Sequence, residues 1–267
     1  MMIGALAILA GVAYDQRRRA VRRLSYKTFL LTLPTSKERR RSFFSAHDPS
    51  VPVEIVYGKD TKQIDVARKF ESRVDPRYME RALAMHWNPG LNRPDLTYFN
   101  LGAIGAYFGH LDVLSEAKAQ GIKYALVMED NVVPTPRLYE EVERALREKG
   151  DSFEAIFFHC IARLTDGFDG SLERVKWISS MKCYLVHVPN MFPYYKKYMR
   201  VMNNHVDTKM EDVAAAGARI FFKDMGHCAK INRSVASEIG HSEHDKAEFF
   251  SRRYTDVDRN DLTFGTW

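Results

Sequence analysis

The chain has 267 residues, of which 45% are hydrophobic and 28% charged. This composition excludes a disordered chain and allows a sizeable buried core, at a length that suits one α/β domain. Lys plus Arg is 40 against 34 for Asp plus Glu, so the net charge is +6. This mild basic excess suits an anionic ligand such as a nucleotide diphosphate, or an anionic membrane surface.

The first segment, Met2 to Tyr14, is apolar throughout and runs straight into "DQRRRAVRR", with five arginines and one acid. Its 13 residues fall short of the roughly 20 that a helix needs to cross a bilayer. The charge follows the apolar run instead of preceding it, unlike a secretory signal. A membrane-associated anchor is expected, on the cytosolic face or an endomembrane, with the arginines on the cytosolic side. No recognition motif accompanies the basic charge, so nucleic acid is not an expected partner.

After Leu24 the pattern alternates strand and helix. "KTFLLTLP" predicts a buried strand stopped by Pro34, and "TSKERRRSFF" a helix after it. "PVEIVYG" predicts a second strand. Helical potential returns in "DVARKFESR" and "PRYMERALAM", and "WNPGLNRPD" reads as a loop. "LGAIGAYFGHLDVLSEAKAQG" gives the clearest helical spacing, ended by Gly121. The strand "KYALVMED" follows, then a helix with Pro136 in its first turn and Gly150 as its stop. "FEAIFFHC" and "MKCYLVHV" are further strands, followed by the aromatic helix "PYYKKYMRVM" and the late strand "ARIFFKD". Cys160, Cys183 and Cys228 have no CxxC spacing, so buried thiols are expected instead of disulfides or zinc.

The alternation implies a mostly parallel central sheet flanked by helices. Ligands of such sheets bind beyond the carboxyl ends of the strands. "YALVMEDNVVP" places Glu129, Asp130 and Asn131 at such an end, and Pro34 and Gly58 lie at two others. A strand-end acid such as Asp130 is expected to serve a ligand and to add little to packing.

Four segments, in order, resemble glycosyltransferase family 25, which includes lipopolysaccharide- and collagen-modifying galactosyltransferases. "FLLTLPTSKERRRSFF" looks like the family's opening strand and Arg-rich turn. "YGKD" sits where the family has a short segment ending in Asp-Gly. "LGAIGAYFGHLDVL" is similar to its Gly-x-x-Gly-Cys-x-x-Ser-His helix, with Gly102, Gly105 and His110 in place but Ala106 and Gly109 for Cys and Ser. "YALVMEDNVVP" is similar to the strand ending in Glu-Asp-Asp. "NHVDTKMED" and "INRSVASEIG" are weaker likenesses further on. The resemblance covers about Thr28 to Gly240. It implies a GT-A-like domain over residues 24–240, between an extension of residues 1–23 and a charged tail of residues 241–267.

The resemblance also implies an enzyme that moves a hexose, such as galactose or glucose, from a UDP-sugar to a glycan, glycoprotein or glycolipid acceptor, with inversion. Its donor site would use Leu33, Pro34, Arg39 and Asp60 from the first two strand ends, His110 from the long helix, and Glu129 and Asp130. Mn2+ or Mg2+ would bridge the diphosphate, held by Asp130, Asn131 and His227, with His241 and His244 as rivals to His227. The last acid of the family motif is Asn131 here, a neutral carbonyl in place of a charge. Asp207 and Glu211, four residues apart, share one face if helical and are the candidates for the base that deprotonates the acceptor. The departures at Ala106, Gly109 and Asn131 support an alternative, a non-catalytic module of the same fold that binds a glycan or a protein.

Overall fold

The computed structural model describes residues 25–88, 99–225, 229–231 and 262–264. The apolar segment of residues 2–14 and the charged tail of residues 241–267 lie outside them, apart from residues 262–264. Among the described residues no helix is long and apolar enough to cross a membrane.

The chain folds as α/β. Strand β1 (Lys27–Thr32) leads to α1 (Lys37–Ala46), β2 (Val53–Tyr57), the short α2 (Ile64–Arg68) and α3 (Pro76–Trp87). The long α4 (Leu101–Ala119) precedes β3 (Tyr124–Glu129), β4 (Val132–Pro134) and α5 (Pro136–Lys149). Then come β5 (Ala155–Phe157), β6 (Ala162–Asp169), β7 (Leu172–Ile178), β8 (Cys183–His187), α6 (Val188–Tyr198), α7 (Val206–Ala215) and β9 (Ile220–Phe222). Two short strands follow, β10 (Ala229–Ile231) and β11 (Leu262–Phe264).

Among the described residues nine strands form one sheet in the order β11-β6-β7-β9-β5-β8-β3-β1-β2, and β10 pairs with β4 in a separate ribbon. The sheet is mixed instead of mostly parallel. β1 is parallel to β2 and β3, and β5 to β9. β8 runs antiparallel between β3 and β5, and β7, β6 and β11 extend the far side antiparallel. Connectivity gives one reason: the tight turn at Gly170 joins β6 to β7, and neighbours joined by so short a link can only run antiparallel.

Alternation along each strand divides the core in two, because successive side chains face opposite sides of a sheet. Phe29, Leu31, Val127, Tyr184 and Val186 face the layer of α3, α4, α6 and α7. Leu30, Leu126, Met128, Cys183 and Leu185 face the layer of α1 and α5. The aromatic residues of α6, Phe192, Tyr194, Tyr195 and Tyr198, pack against the first of these cores.

α4 fixes the loop after β2. Asn100 caps it, its side chain accepting the Ala103 N–H at 2.8 Å. Thr61 Oγ1 donates to the Leu101 carbonyl at 2.6 Å and accepts the Gly105 N–H at 2.8 Å. A Cβ at Gly105 would lie 2.4 Å from the Lys59 carbonyl oxygen, so only glycine lets the loop that carries Asp60 seat this closely.

Candidate functional site

β1, β2, β3, β5 and β9 all end on one edge, where β8 begins. The edge carries three groups of polar side chains.

The first group joins β1, β3 and α1. Asp130, one residue beyond β3, has Oδ1 2.7 Å from Arg39 Nε and accepts the Thr32 hydroxyl on Oδ2 at 2.5 Å. The ion pair is enclosed, with side chains 9% and 5% exposed. Arg40, next on α1, turns back over β1: it donates to the Leu33 carbonyl and, at 2.9 Å, to that of Pro34. Its guanidinium also lies 5.6 Å from the centre of the Tyr57 ring. Leu33 and Pro34 are therefore held by their backbone. The burial of Asp130 overturns the expectation that it adds little to packing: Arg39 of α1 and Thr32 at the end of β1 enclose it from two sides.

The second group joins β3, β8 and α4. Glu129 Oε1 lies 3.3 Å from His110 Nε2, and His110 Nδ1 lies 3.0 Å from the Tyr184 hydroxyl. Nε2–H donates to Glu129 in either charge state of the ring; Nδ1 accepts the Tyr184 O–H when the ring is neutral and donates to the Tyr184 oxygen when it is an imidazolium. Burial pushes the Glu129 carboxyl up, but the His110 hydrogen bond, with the charges of His110, Lys182 and Arg39, outweighs it and holds the group below the usual carboxylate range. Burial and the neighbouring Glu129 charge push the Tyr184 hydroxyl up, so it keeps its proton. Behind His110 and Tyr184 lies an apolar cavity of ≈ 20 Å³ whose walls include Met181, Met191, Met199 and Met210.

The third group joins the start of β8 to α7. Asp207, in the first turn of α7, accepts the Ser180 N–H on Oδ2 and the Thr208 N–H on Oδ1, both at 2.9 Å. Ser180 Oγ lies 3.3 Å from His159 Nδ1, just beyond β5. Ser180 has φ +87°, in the left-handed region that favours glycine. Such strain gathers at functional sites, where the surrounding structure over-determines it. The Glu129 N–H bonds to the Lys182 carbonyl at 2.8 Å, so this group and the second meet at the start of β8.

The structure thus brings Arg39, Glu129, Asp130, His110 and Asp207 to one edge. Asp60 is on the same side, in a local turn, accepting from Lys62 N at 3.3 Å and Gln63 Nε2 at 3.4 Å. Glu211 is half-buried one turn along α7 from Asp207. His227 lies outside the described residues. Thr32, His159, Ser180 and Tyr184 were not singled out from the sequence. His159 carries the one visible signal, a polar residue directly after the apolar run "FEAIFF".

A divalent cation needs oxygen donors turned toward it. Both Asp130 oxygens already face Arg39 and Thr32, Glu129 faces His110, and Asn131 Oδ1 is covered and accepts no hydrogen bond from the described residues. Among the described residues no three His, Cys, Asp or Glu side chains converge. The described residues therefore do not fit a bound divalent ion at the end of β3.

No protein-family model and no curated protein matches the chain. Solved structures do match in shape. UDP-glucose pyrophosphorylase in its apo form is similar over 85% of this chain and 99% of its own, at 11% identity and a TM-score of 0.40. A mannose-1-phosphate geranyltransferase from Thermus thermophilus is similar over 74% and 73%, at 12% identity and a TM-score of 0.34. Likeness at this level does not bear on substrate or reaction.

Proposed function

We propose that this chain is a nucleotide-sugar-dependent glycosyltransferase that moves a hexose from a UDP-sugar to a glycan, glycoprotein or glycolipid acceptor. The observation that carries the reading is the gathering of Glu129, Asp130, Arg39, His110 and Asp207 at the carboxyl edge of the strands. Open α/β sheets bind ligands at that edge. The motif likeness to glycosyltransferase family 25 supports the same assignment, because the residues that carry it, including Gly105, His110 and the Glu129–Asn131 stretch, line or brace this edge.

In this reading the acceptor oxygen attacks the anomeric carbon, its proton passes to Asp207, and the bond to the departing nucleoside diphosphate breaks. The stretch of residues 1–23 would hold the enzyme at a membrane.

Isothermal titration of the full chain with UDP, UDP-galactose and UDP-glucose tests the reading, together with slow release of UDP from the sugar nucleotides. Binding with release supports it. A second reading, a non-catalytic module, is favoured by the internal pairing of both strand-end acids. Glycan binding with no UDP release under any donor would establish that one.

A further inference from the structure

The mismatch between the strand-end acids and a divalent ion has a direct electrostatic cause. Asp130 is a carboxylate 5% exposed, and the charge beside it belongs to the chain: Arg39 Nε at 2.7 Å. Thr32 supplies a hydroxyl to the other oxygen at 2.5 Å. A cation entering here would have to displace a guanidinium of its own sign from a buried contact. The neighbouring described residues offer no alternative donor. Glu129 is turned to His110, and Asn131 carries no charge and has its oxygen covered.

We propose that Arg39 is the fixed counter-cation of Asp130, so that the end of β3 takes up no divalent ion, whether or not a nucleotide diphosphate is bound. The case with the diphosphate bound rests on the donor-site reading above; the role of Arg39 stands on the geometry alone. Arg39 is then a positioning residue. It holds Asp130 neutralised, and through Asp130 and Thr32 it fixes the ends of β1 and β3 against α1. The arrangement is sequence-encoded in two places at once. An arginine stands where α1 faces the sheet, and a neutral Asn131 stands where a second acid would have restored affinity for a cation.

The test is titration of the full chain with Mn2+, read by the electron paramagnetic resonance of the free ion, without and with UDP. The wild-type chain is expected to hold no Mn2+ tighter than about millimolar, and chelation with EDTA is expected to change UDP affinity by less than about twofold. Arg39→Met, which keeps the unbranched apolar stem but removes the charge, should tighten Mn2+ binding by at least about tenfold. The double variant Arg39→Met/Asp130→Asn should lose that gain. Wild-type Mn2+ binding at micromolar concentration that Asp130→Asn abolishes would overturn the proposal, and so would a folded Arg39→Met that gains no affinity. If Arg39→Met does not fold, by circular dichroism, the wild-type and Asp130→Asn titrations decide the matter alone. A chain that binds no UDP in either condition refutes the donor-site reading, and the titration with Mn2+ alone still decides the role of Arg39.

Discussion

Arg39 Nε lies 2.7 Å from Asp130 Oδ1, and the pair joins helix α1 to the end of β3 inside the protein. Removing one partner leaves the other charge buried and uncompensated, which costs ~3–5 kcal/mol. Asp130→Asn and Arg39→Met are each expected to lower stability by about that much in urea denaturation. The double variant should lose clearly less than the sum of the two. Two small, additive losses would show that the pair is screened and that the edge is looser than this contact implies.

Gly105 makes a separate prediction. A methyl group there would meet the Lys59 carbonyl oxygen at 2.4 Å and Thr61 Oγ1 at 2.7 Å, so the loop after β2 must move. Gly105→Ala is expected to destabilise by ~1–3 kcal/mol, the range for overpacking. Gly121→Ala is the control. Its φ of +68° strains an alanine, but nothing lies within 4 Å of the added carbon. The loss there should be nearer ~1 kcal/mol. Melting temperatures that put Gly121→Ala below Gly105→Ala would contradict the close seating of the loop.

Much of the architecture was legible in local pattern, and the failures have physical reasons. The strands of the sheet's centre were found because they are buried on both faces and read as unbroken apolar runs: "KTFLLT" and "YALVME" are examples. The hairpin of β6 and β7 was not found. Its strands carry Arg163, Asp166, Glu173 and Lys176 among their apolar residues, and some of these charges pair across the hairpin, as Arg163 does with Glu173 at 2.7 Å. The signal that could have marked it is the pair of Asp-Gly steps in "DGFDG", which favour tight turns. At the site, the sequence located the strand-end acids but not their partners. Thr32 reaches Asp130 across 98 residues and Tyr184 reaches His110 across 74, and no local spacing records such contacts. The direction of β8 was hidden for the same reason, because pairing is non-local.

Two groups contribute to the acid side of the stability profile. Burial at the end of β8 lowers His187 from its ordinary 6.5, against the nearby Asp151 charge. The folded protein therefore protonates His187 at a lower pH than the unfolded chain, which takes up a proton below pH 6.5. Its contribution is complete above pH 6.5 and is lost as the pH falls below that. Glu129 is held below its ordinary 4.5, so its contribution is complete above pH 4.5 and is lost as the pH falls through the lowered folded value. Melting temperature against pH should decline in two stages. His187→Gln should flatten the first and Glu129→Gln the second. An unchanged profile in both variants would mean that other carboxylates carry the acid dependence.

Ser180 carries the last prediction, because its two hydrogen bonds and its strain pull in different directions. Its φ of +87° costs a residue with a Cβ ~1–2 kcal/mol relative to glycine. Ser180→Gly relieves this strain and keeps the N–H that Asp207 accepts, but it removes the hydroxyl 3.3 Å from His159 Nδ1. If the strain is held for function, the variant should melt at the same or a higher temperature while sugar transfer falls by about tenfold or more, or roughly 1.4 kcal/mol in the barrier. Asp207→Asn should lower kcat as well, without weakening UDP binding, because Asp207 serves the acceptor side in the proposed reaction. Donor affinity by titration and transfer by UDP release separate the two effects. A fall in melting temperature for Ser180→Gly with transfer intact would make the hydroxyl a structural clamp. In that case the left-handed turn at the start of β8 exists to close the loop over α7, and the assignment of Asp207 as the base loses its support.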